Sequence, residues 1–297
     1  MDESQLPKVR GRYRFGADLS KTNWFQVGGP AEVMFKPEDA EDLALFMREK
    51  PADLPVTVIG VGSNLIVRDG GIEGVVIRLG RGFAKMEREG DILTVGAGCL
   101  DVNVAHYSAE CALSGTEFLS GIPGTIGGAL AMNAGAYGSE IKDVLVEVQV
   151  VTPEAQVKWV SPELFNYAYR HADLPEGWIF TAAKLRGVAG DSATISARID
   201  EIQKAREETQ PIRSKTGGST FRNPEGHKAW ELVDKAGCRG LTIGDAQVSE
   251  KHCNFMINIE NATAKDIETL GDEVRKRVKE TSNIDLHWEI KRIGKVQ

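Results

Sequence analysis

Two glycine-rich stretches hold the residues best placed to do chemistry in this sequence. Gly60-Val61-Gly62-Ser63-Asn64 follows directly on an apolar run, Val56 to Ile59. The longer stretch runs from Ser120 to Gly138 and contains Pro123-Gly124-Thr125-Ile126-Gly127-Gly128 and Asn133-Ala134-Gly135. Glycines at such density let a ligand come close to the main chain. Successive N–H groups then converge into a concave anion nest, in which each bond to a charged oxygen is worth roughly 1.5–3 kcal/mol. Two nests on separate loops suit a pyrophosphate, so the first reading is a nucleotide-type cofactor. The competing reading is tight turns between packed elements. It is as strong for the shorter stretch but weaker for the longer one, which carries buried-type Leu130 and Met132 rather than a linker's Ser/Gly-polar composition.

The common phosphate fingerprints are missing. Gly60-Val61-Gly62-Ser63-Asn64-Leu65 lacks the third glycine of a dinucleotide motif, and Ile66 to Gly71 reads as strand then turn, not helix. No Gly-Lys-Ser/Thr ends either loop, which excludes a triphosphate P-loop. Flavin nucleotides fit what remains. A third loop, Lys215 to Pro224, combines glycines, hydroxyls, Asn223 and the cations Arg213, Lys215 and Arg222, the local basic cluster that an anionic substrate requires. A capped helix start before Lys228 with solvated charges is the plainer alternative; loops hold functional residues preferentially, which favours the site. Taken alone, Arg170 reads as a surface arginine after an aromatic-rich turn. Period-two alternation puts Leu286, Trp288 and Ile290 on one face of a strand and Glu289 on a solvated outer face.

Composition bounds these readings. The 297 residues suffice for two or three compact domains, and the hydrophobic (41%) and charged (27%) fractions are ordinary for a globular protein. A net charge of -7 argues against nucleic-acid or anionic-membrane binding. The polar, acidic N-terminus has no apolar core of a signal peptide, and no apolar run is long enough to span a bilayer. The four cysteines show no close-paired motif, as expected of free thiols in a reducing cytoplasm, and the five histidines are scattered, so no metal is expected.

The elements that must position these residues are short and mixed. Ala31–Lys36, Val56–Ile59 and Val75–Leu79 read as strands around a helix opened by Pro37-Glu38-Asp39, with Leu43, Phe46 and Met47 on its apolar face. From about Arg81, Ile92–Val95 reads as a strand and Asp101 as the cap of a helix. Val144–Val151 and Val157–Val160 read as a hairpin, Ser161-Pro162-Glu163 as a helix start, Ile179–Leu185 as a strand and Ala193–Thr209 as a polar helix ending before Pro211. The third region holds a helix, Lys228–Ala236, closed by Gly237, and a strand, Phe255–Ile259. A long amphipathic helix then starts at Thr263 with Ile267, Leu270, Val274 and Val278 on one face, and Leu286–Ile293 reads as a final strand. The expected division is 1–80, 81–210 and 211–297.

At these residues the chain resembles the UDP-N-acetylenolpyruvoylglucosamine reductase family. The likeness extends from Thr22-Asn23-Trp24-Phe25-Gln26-Val27-Gly28-Gly29 to Glu289. It rests on Val27-Gly28-Gly29, Gly60 to Asn64, Gly121 to Gly138, Tyr169-Arg170 and Gly218-Ser219-Thr220-Phe221-Arg222-Asn223-Pro224, in that order. The resemblance implies an α+β (mixed α/β) chain: a two-subdomain FAD-binding fold of the vanillyl-alcohol-oxidase type, followed by a C-terminal α/β substrate-binding domain. It implies FAD and NADPH as cofactors, an enolpyruvyl ether of a UDP-sugar as substrate, cytoplasmic location and no obligate protein partner. The catalytic trio it implies is Arg170, Ser219 and Glu289, which reverses the plain readings of Arg170 and Glu289. FAD contacts are expected at Gly60, Val61, Gly62, Ser63, Asn64, Pro123, Gly124, Thr125, Gly127, Gly128, Asn133 and Gly135, and substrate contacts at Lys215, Arg222 and Asn223. Longer family members insert a lid with a substrate-contacting tyrosine between the arginine and serine motifs. The interval from Arg170 to Ser219 is too short for it, so the chain resembles the shorter class.

Two rival readings fit the same residues. One is a flavin oxidase of the same fold class, which the lack of a histidine in either glycine loop disfavours where a covalent flavin tether is concerned. The other is a non-catalytic nucleotide-binding module, which leaves Ser219 and Arg170 without a task.

Overall fold

The computed structural model describes residues 1–297, which divide into two compact units. The first comprises Met1–Phe15, Val33–Gly60 and Gly74–Ala205; the second comprises Gly16–Glu32, Val61–Glu73 and Arg206–Gln297.

The first unit is built on two sheets. One has the strand order Arg12–Asp18, Pro30–Lys36, Ile72–Arg78, Val56–Ile59. Val56–Ile59 and Ile72–Arg78 run parallel, with Val58 opposite Ile77 and Ile59 opposite Arg78. The helix Ala40–Glu49 connects Pro30–Lys36 to Val56–Ile59 in the chain. It begins where it should: Asp39 accepts the N–H of Asp42, and Leu43, Phe46 and Met47 are buried with Val33, Phe35, Val75 and Ile77. The second sheet is antiparallel, in the order Val157–Val160, Leu145–Val151, Ile179–Arg186, Ile92–Gly96, Met86–Glu89. Val148, Ala183 and Val95 stand in one row across its three central strands and are fully buried. The helices Asp101–Glu110 and Ile126–Met132 contribute Val104, Ala105, Ala129 and Leu130 to the same core.

The second unit carries a four-stranded antiparallel sheet, ordered Lys215–Ser219, Phe255–Asn258, Ala246–Val248, Thr242–Ile243. Its long helix, Ala264–Ser282, starts at a reciprocal cap: Thr263 accepts the N–H of Asp266, and the Asp266 carboxylate accepts the N–H of Thr263. Ile267, Leu270, Val274 and Val278 are all fully buried, and each such side chain contributes about 1.5–3 kcal/mol by leaving water.

Several expectations are corrected. Asp101 is not a cap. Leu100 is held extended by its bridge to Thr125 and its carbonyl accepts from Asn103 and Val104, so the helix begins one residue earlier and Asp101 lies inside it. The longer glycine stretch is not a single loop, because Ile126–Met132 is helical. Lys215–Pro224 is likewise not all loop, since Lys215–Ser219 pairs with Phe255–Asn258. Leu286–Ile293 is not one strand. Trp288 makes a single bridge to Phe221, after which Lys291–Ile293 runs parallel to Leu65–Val67. The chain changes partner at Glu289-Ile290, so no continuous ladder can form.

Candidate active site

In the first unit, the strand Val56–Ile59 delivers Gly60 against the segment that opens the helix Ile126–Met132. A Cβ at Gly60 would meet only Thr125, with Oγ1 at 2.8 Å. Thr125 is the N-cap of that helix, yet its side chain makes no capping bond, so its hydroxyl faces the space beside Gly60. Gly128, one turn on, meets nothing nearer than the same Oγ1 at 3.7 Å. Gly60, Thr125 and Gly128 therefore border one recess in which backbone is accessible. The supporting bonds are internal: Gly127 N–H donates to Ala97, Ile126 N–H to Cys99, and Gly124 accepts from Asp101.

Arg170 is held in a two-residue turn. Ala168 and His171 exchange both backbone hydrogen bonds, leaving Tyr169 and Arg170 at the tip. Arg170 has φ +53, a left-handed conformation that costs an arginine about 1 kcal/mol or more and persists only where its surroundings enforce it. Those surroundings include two residues expected on the cofactor. Asn133 is fully buried; its amide donates to the carbonyl of Ala168 and to Glu140, each at 3.0 Å, and its oxygen accepts from Lys142 N–H. The carbonyl of Gly135 accepts from Arg170 Nη2 at 2.7 Å. The polar atoms of Asn133 and Gly135 thus aim the arginine turn. The sequence held no signal for this beyond their place in the glycine run.

In the second unit, Ser219 and Glu289 are brought together through the backbone. Glu289 N–H donates to the carbonyl of Thr220 at 2.8 Å, and Arg222 N–H donates to His287 at 2.9 Å, on either side of the Phe221–Trp288 bridge. Asn64 braces the same segment: its carbonyl accepts from Lys291 N–H, and its amide reaches the carbonyl of Glu289 at 3.5 Å. Ser219 leaves the strand at a bulge. Thr216 pairs with Ile257 but Ser219 with Phe255, so Gly217 and Gly218 face a single partner residue. Gly218 has φ +81, and Gly217 is pressed by the ring of Phe25, which is fully buried. Phe25 is a positioning residue that the alternation pattern did not reveal.

The N–H groups of Val61, Gly62 and Ser63 donate to no acceptor within the chain, whereas the Gly62 carbonyl accepts from Trp24 N–H. Unmade donors in succession match a loop meant to receive anionic oxygens. Of the residues expected on the substrate, Lys215 is half-buried and donates to the carbonyl of Glu260, and Asn223 uses its oxygen to accept the N–H of Ala229 at the start of the helix Ala229–Lys235. Arg222 keeps a buried Nε with no partner, and the hydroxyl of the fully buried Thr220 has none either. Within the first unit, the open backbone bordering the recess at Gly60, Thr125 and Gly128 has the chemistry to fit a phosphate group of FAD.

No helix is long and apolar enough to cross a membrane. Residues 31–161 match the model of an FAD binding domain, and residues 210–293 that of the C-terminal domain of UDP-N-acetylenolpyruvoylglucosamine reductase. The chain is similar to UDP-N-acetylenolpyruvoylglucosamine reductase of Paramagnetospirillum magneticum, with 57% identity over 97% of this chain and 94% of the other. It is also similar to the protein of that name in Gluconobacter oxydans, with 56% identity over 97% and 94%. Among solved structures, UDP-N-acetylenolpyruvylglucosamine reductase from Thermus caldophilus superposes with a TM-score of 0.83 and 35% identity, covering 97% of this chain and all of that one.

Proposed function

This chain belongs to the UDP-N-acetylenolpyruvoylglucosamine reductase family, and we propose that it is a flavoenzyme that uses NADPH to reduce the enolpyruvyl ether of UDP-N-acetylglucosamine to UDP-N-acetylmuramate, a precursor of peptidoglycan. The reaction adds a hydride and a proton across the carbon–carbon double bond. FAD, held at the recess of Gly60, Thr125 and Gly128, would supply hydride transfer from NADPH to the enolpyruvyl group.

The protein's share is charge stabilisation and proton delivery. Hydride addition builds negative charge on the neighbouring carbon and its carboxylate. Arg170, preset at the tip of its turn, is suited to hold that carboxylate through its forked donors. Glu289, when it carries a proton, can donate to the same group. Ser219 delivers the proton to carbon; a hydroxyl is a weak acid, but the carbanionic centre is a strong base. Lys215 and Arg222 bind the diphosphate, Arg222 with its unmatched Nε and Lys215 with donors beyond the one given to Glu260. Asn223 offers its amide N–H groups, its oxygen being engaged at Ala229. The substrate and reductant are small molecules, and the setting is cytoplasmic.

The observation that carries the assignment of residues is the bond from Glu289 N–H to Thr220, which sets Glu289 beside Ser219. The test is spectral. Anaerobic NADPH should bleach the yellow protein, and the enolpyruvyl UDP-sugar should restore the colour with one UDP-N-acetylmuramate formed per flavin. Colour restored by oxygen but not by that substrate would favour an oxidase instead.

A further inference from the structure

The sheet of the first unit carries a set of cations that nothing in the chain neutralises. Arg12 and Arg14 are two apart on the strand Arg12–Asp18, so their side chains share one face. Lys36 ends the neighbouring strand Pro30–Lys36, and Arg78 ends the next, Ile72–Arg78. By the same alternation, Lys36 lies opposite in facing to Phe35, and Arg78 to Ile77; both apolar residues are in the core under the sheet. Gly11 packs directly against the carbonyl of Lys36, which fixes the start of the first strand beside the end of the second.

None of these four cations makes a hydrogen bond or an ion pair through its side chain, although the nearby Arg10 is paired with Asp39 and lies close to Asp42. Partial burial, and after it the charges of Arg78, Arg12 and Arg14 with no carboxylate among them, push the Lys36 ammonium down from the usual lysine range. Like charges gathered without counter-charges destabilise a fold. A chain of net charge -7 had acids enough to neutralise them.

The place of the cluster points the same way. Pro30 packs against Gly71, so Pro30–Lys36 runs in the same direction as Ile72–Arg78, which is parallel to Val56–Ile59. Lys36, Arg78 and Ile59 therefore stand at the carboxyl ends of three parallel strands, the end at which open α/β sheets bind ligands. We propose that Arg12, Arg14, Lys36 and Arg78 form a binding site for a small, multiply charged phosphate ligand, a short phosphate chain either free or carried by a nucleotide.

Size and surroundings select that class. Adjacent strands are about 4.8 Å apart and alternate residues about 7 Å apart along a strand, so the cluster is wider than one phosphate and far shorter than the stripe a nucleic acid needs. Glu38 and Glu41, both exposed, follow close after Lys36. They would repel an extended anionic surface such as a membrane but leave room for a compact anion.

The test uses the FAD-loaded protein and calorimetric titration with inorganic tripolyphosphate in one arm and ATP in the other. Binding in either arm is expected to weaken about tenfold in Lys36→Gln and more in Arg12→Ala/Arg14→Ala, with melting temperature retained, and to survive in Arg222→Ala. Tighter binding in the ATP arm identifies a nucleotide as the source; equal binding identifies a free phosphate chain. Loss of binding in Arg222→Ala but not in Lys36→Gln would overturn the proposal by placing the anion at the substrate residues. No binding in either arm would overturn it too, as would variants whose only defect is weaker retention of FAD.

Discussion

A Cβ added to Gly60 would stand 2.8 Å from Oγ1 of Thr125, closer than such atoms pack. The recess beside these residues is therefore kept open by the missing side chain of one and the uncommitted hydroxyl of the other. Gly60→Ala should turn Thr125 out of its rotamer, at a cost of about 0.5–1.5 kcal/mol, and weaken FAD binding by about tenfold. Fluorescence titration of apoprotein with FAD measures this. In a Thr125→Ala background the same Gly60→Ala change should cost little, since the clashing atom is gone. Equal losses in both backgrounds would refute the steric account.

Ser219 stands at the end of a bulged strand, next to the residue whose carbonyl holds Glu289. Ser219→Ala should leave reduction by NADPH nearly intact and slow reoxidation by the enolpyruvyl substrate by roughly 10²–10⁴-fold, the usual contribution of a positioned acid. Rapid-mixing spectra separate the two half-reactions. Equal slowing of both would show that the serine shapes the site rather than delivering a proton.

Much of this was legible in the residues, and the parts that were not share a cause. Alternation and caps announce themselves locally, so the helix from Thr263 and the hairpin of Leu145–Val151 with Val157–Val160 stand where their patterns put them. Lys215–Ser219 was illegible as a strand because two adjacent glycines read as loop, while its pairing is decided by Phe255–Asn258, far along the chain. Leu286–Ile293 has a strand's alternation, but changing partner at Glu289 is a tertiary event that period two cannot encode. The strand Arg12–Asp18 carries no legible strand pattern because arginines fill one of its faces and Gly16 interrupts it. Arg170 shows the same limit at the site. Its left-handed φ and the bonds from Asn133 and to Gly135 come from contacts across more than thirty residues.

Arg170→Lys tests the value of that preset turn. Lysine keeps the charge but loses the planar fork and the bond that Nη2 makes to Gly135. The catalytic efficiency should fall by about a hundredfold or more, as for a lost charge-stabilising donor. The melting temperature should hardly move, because the turn itself is closed by Ala168 and His171. An active lysine variant would mean that the substrate carboxylate is held elsewhere.

Asp101 supplies the sharpest dependence on pH. It is fully buried, neither carboxylate oxygen has a partner, and burial pushes its ionisation well above the usual carboxylate range. The folded protein therefore keeps this proton to a higher pH than the unfolded chain, which releases it near about pH 4. Below that range the group contributes its full stability. Above it the contribution falls, by up to about 1.4 kcal/mol per pH unit, until the folded carboxyl ionises as well. Asp101→Asn cannot ionise, so its stability relative to the parent should rise steadily with pH from pH 4 upward, as read by urea unfolding at a series of pH values. A difference between the two proteins that stays constant across that range would mean that Asp101 is already charged in the fold and finds a partner there.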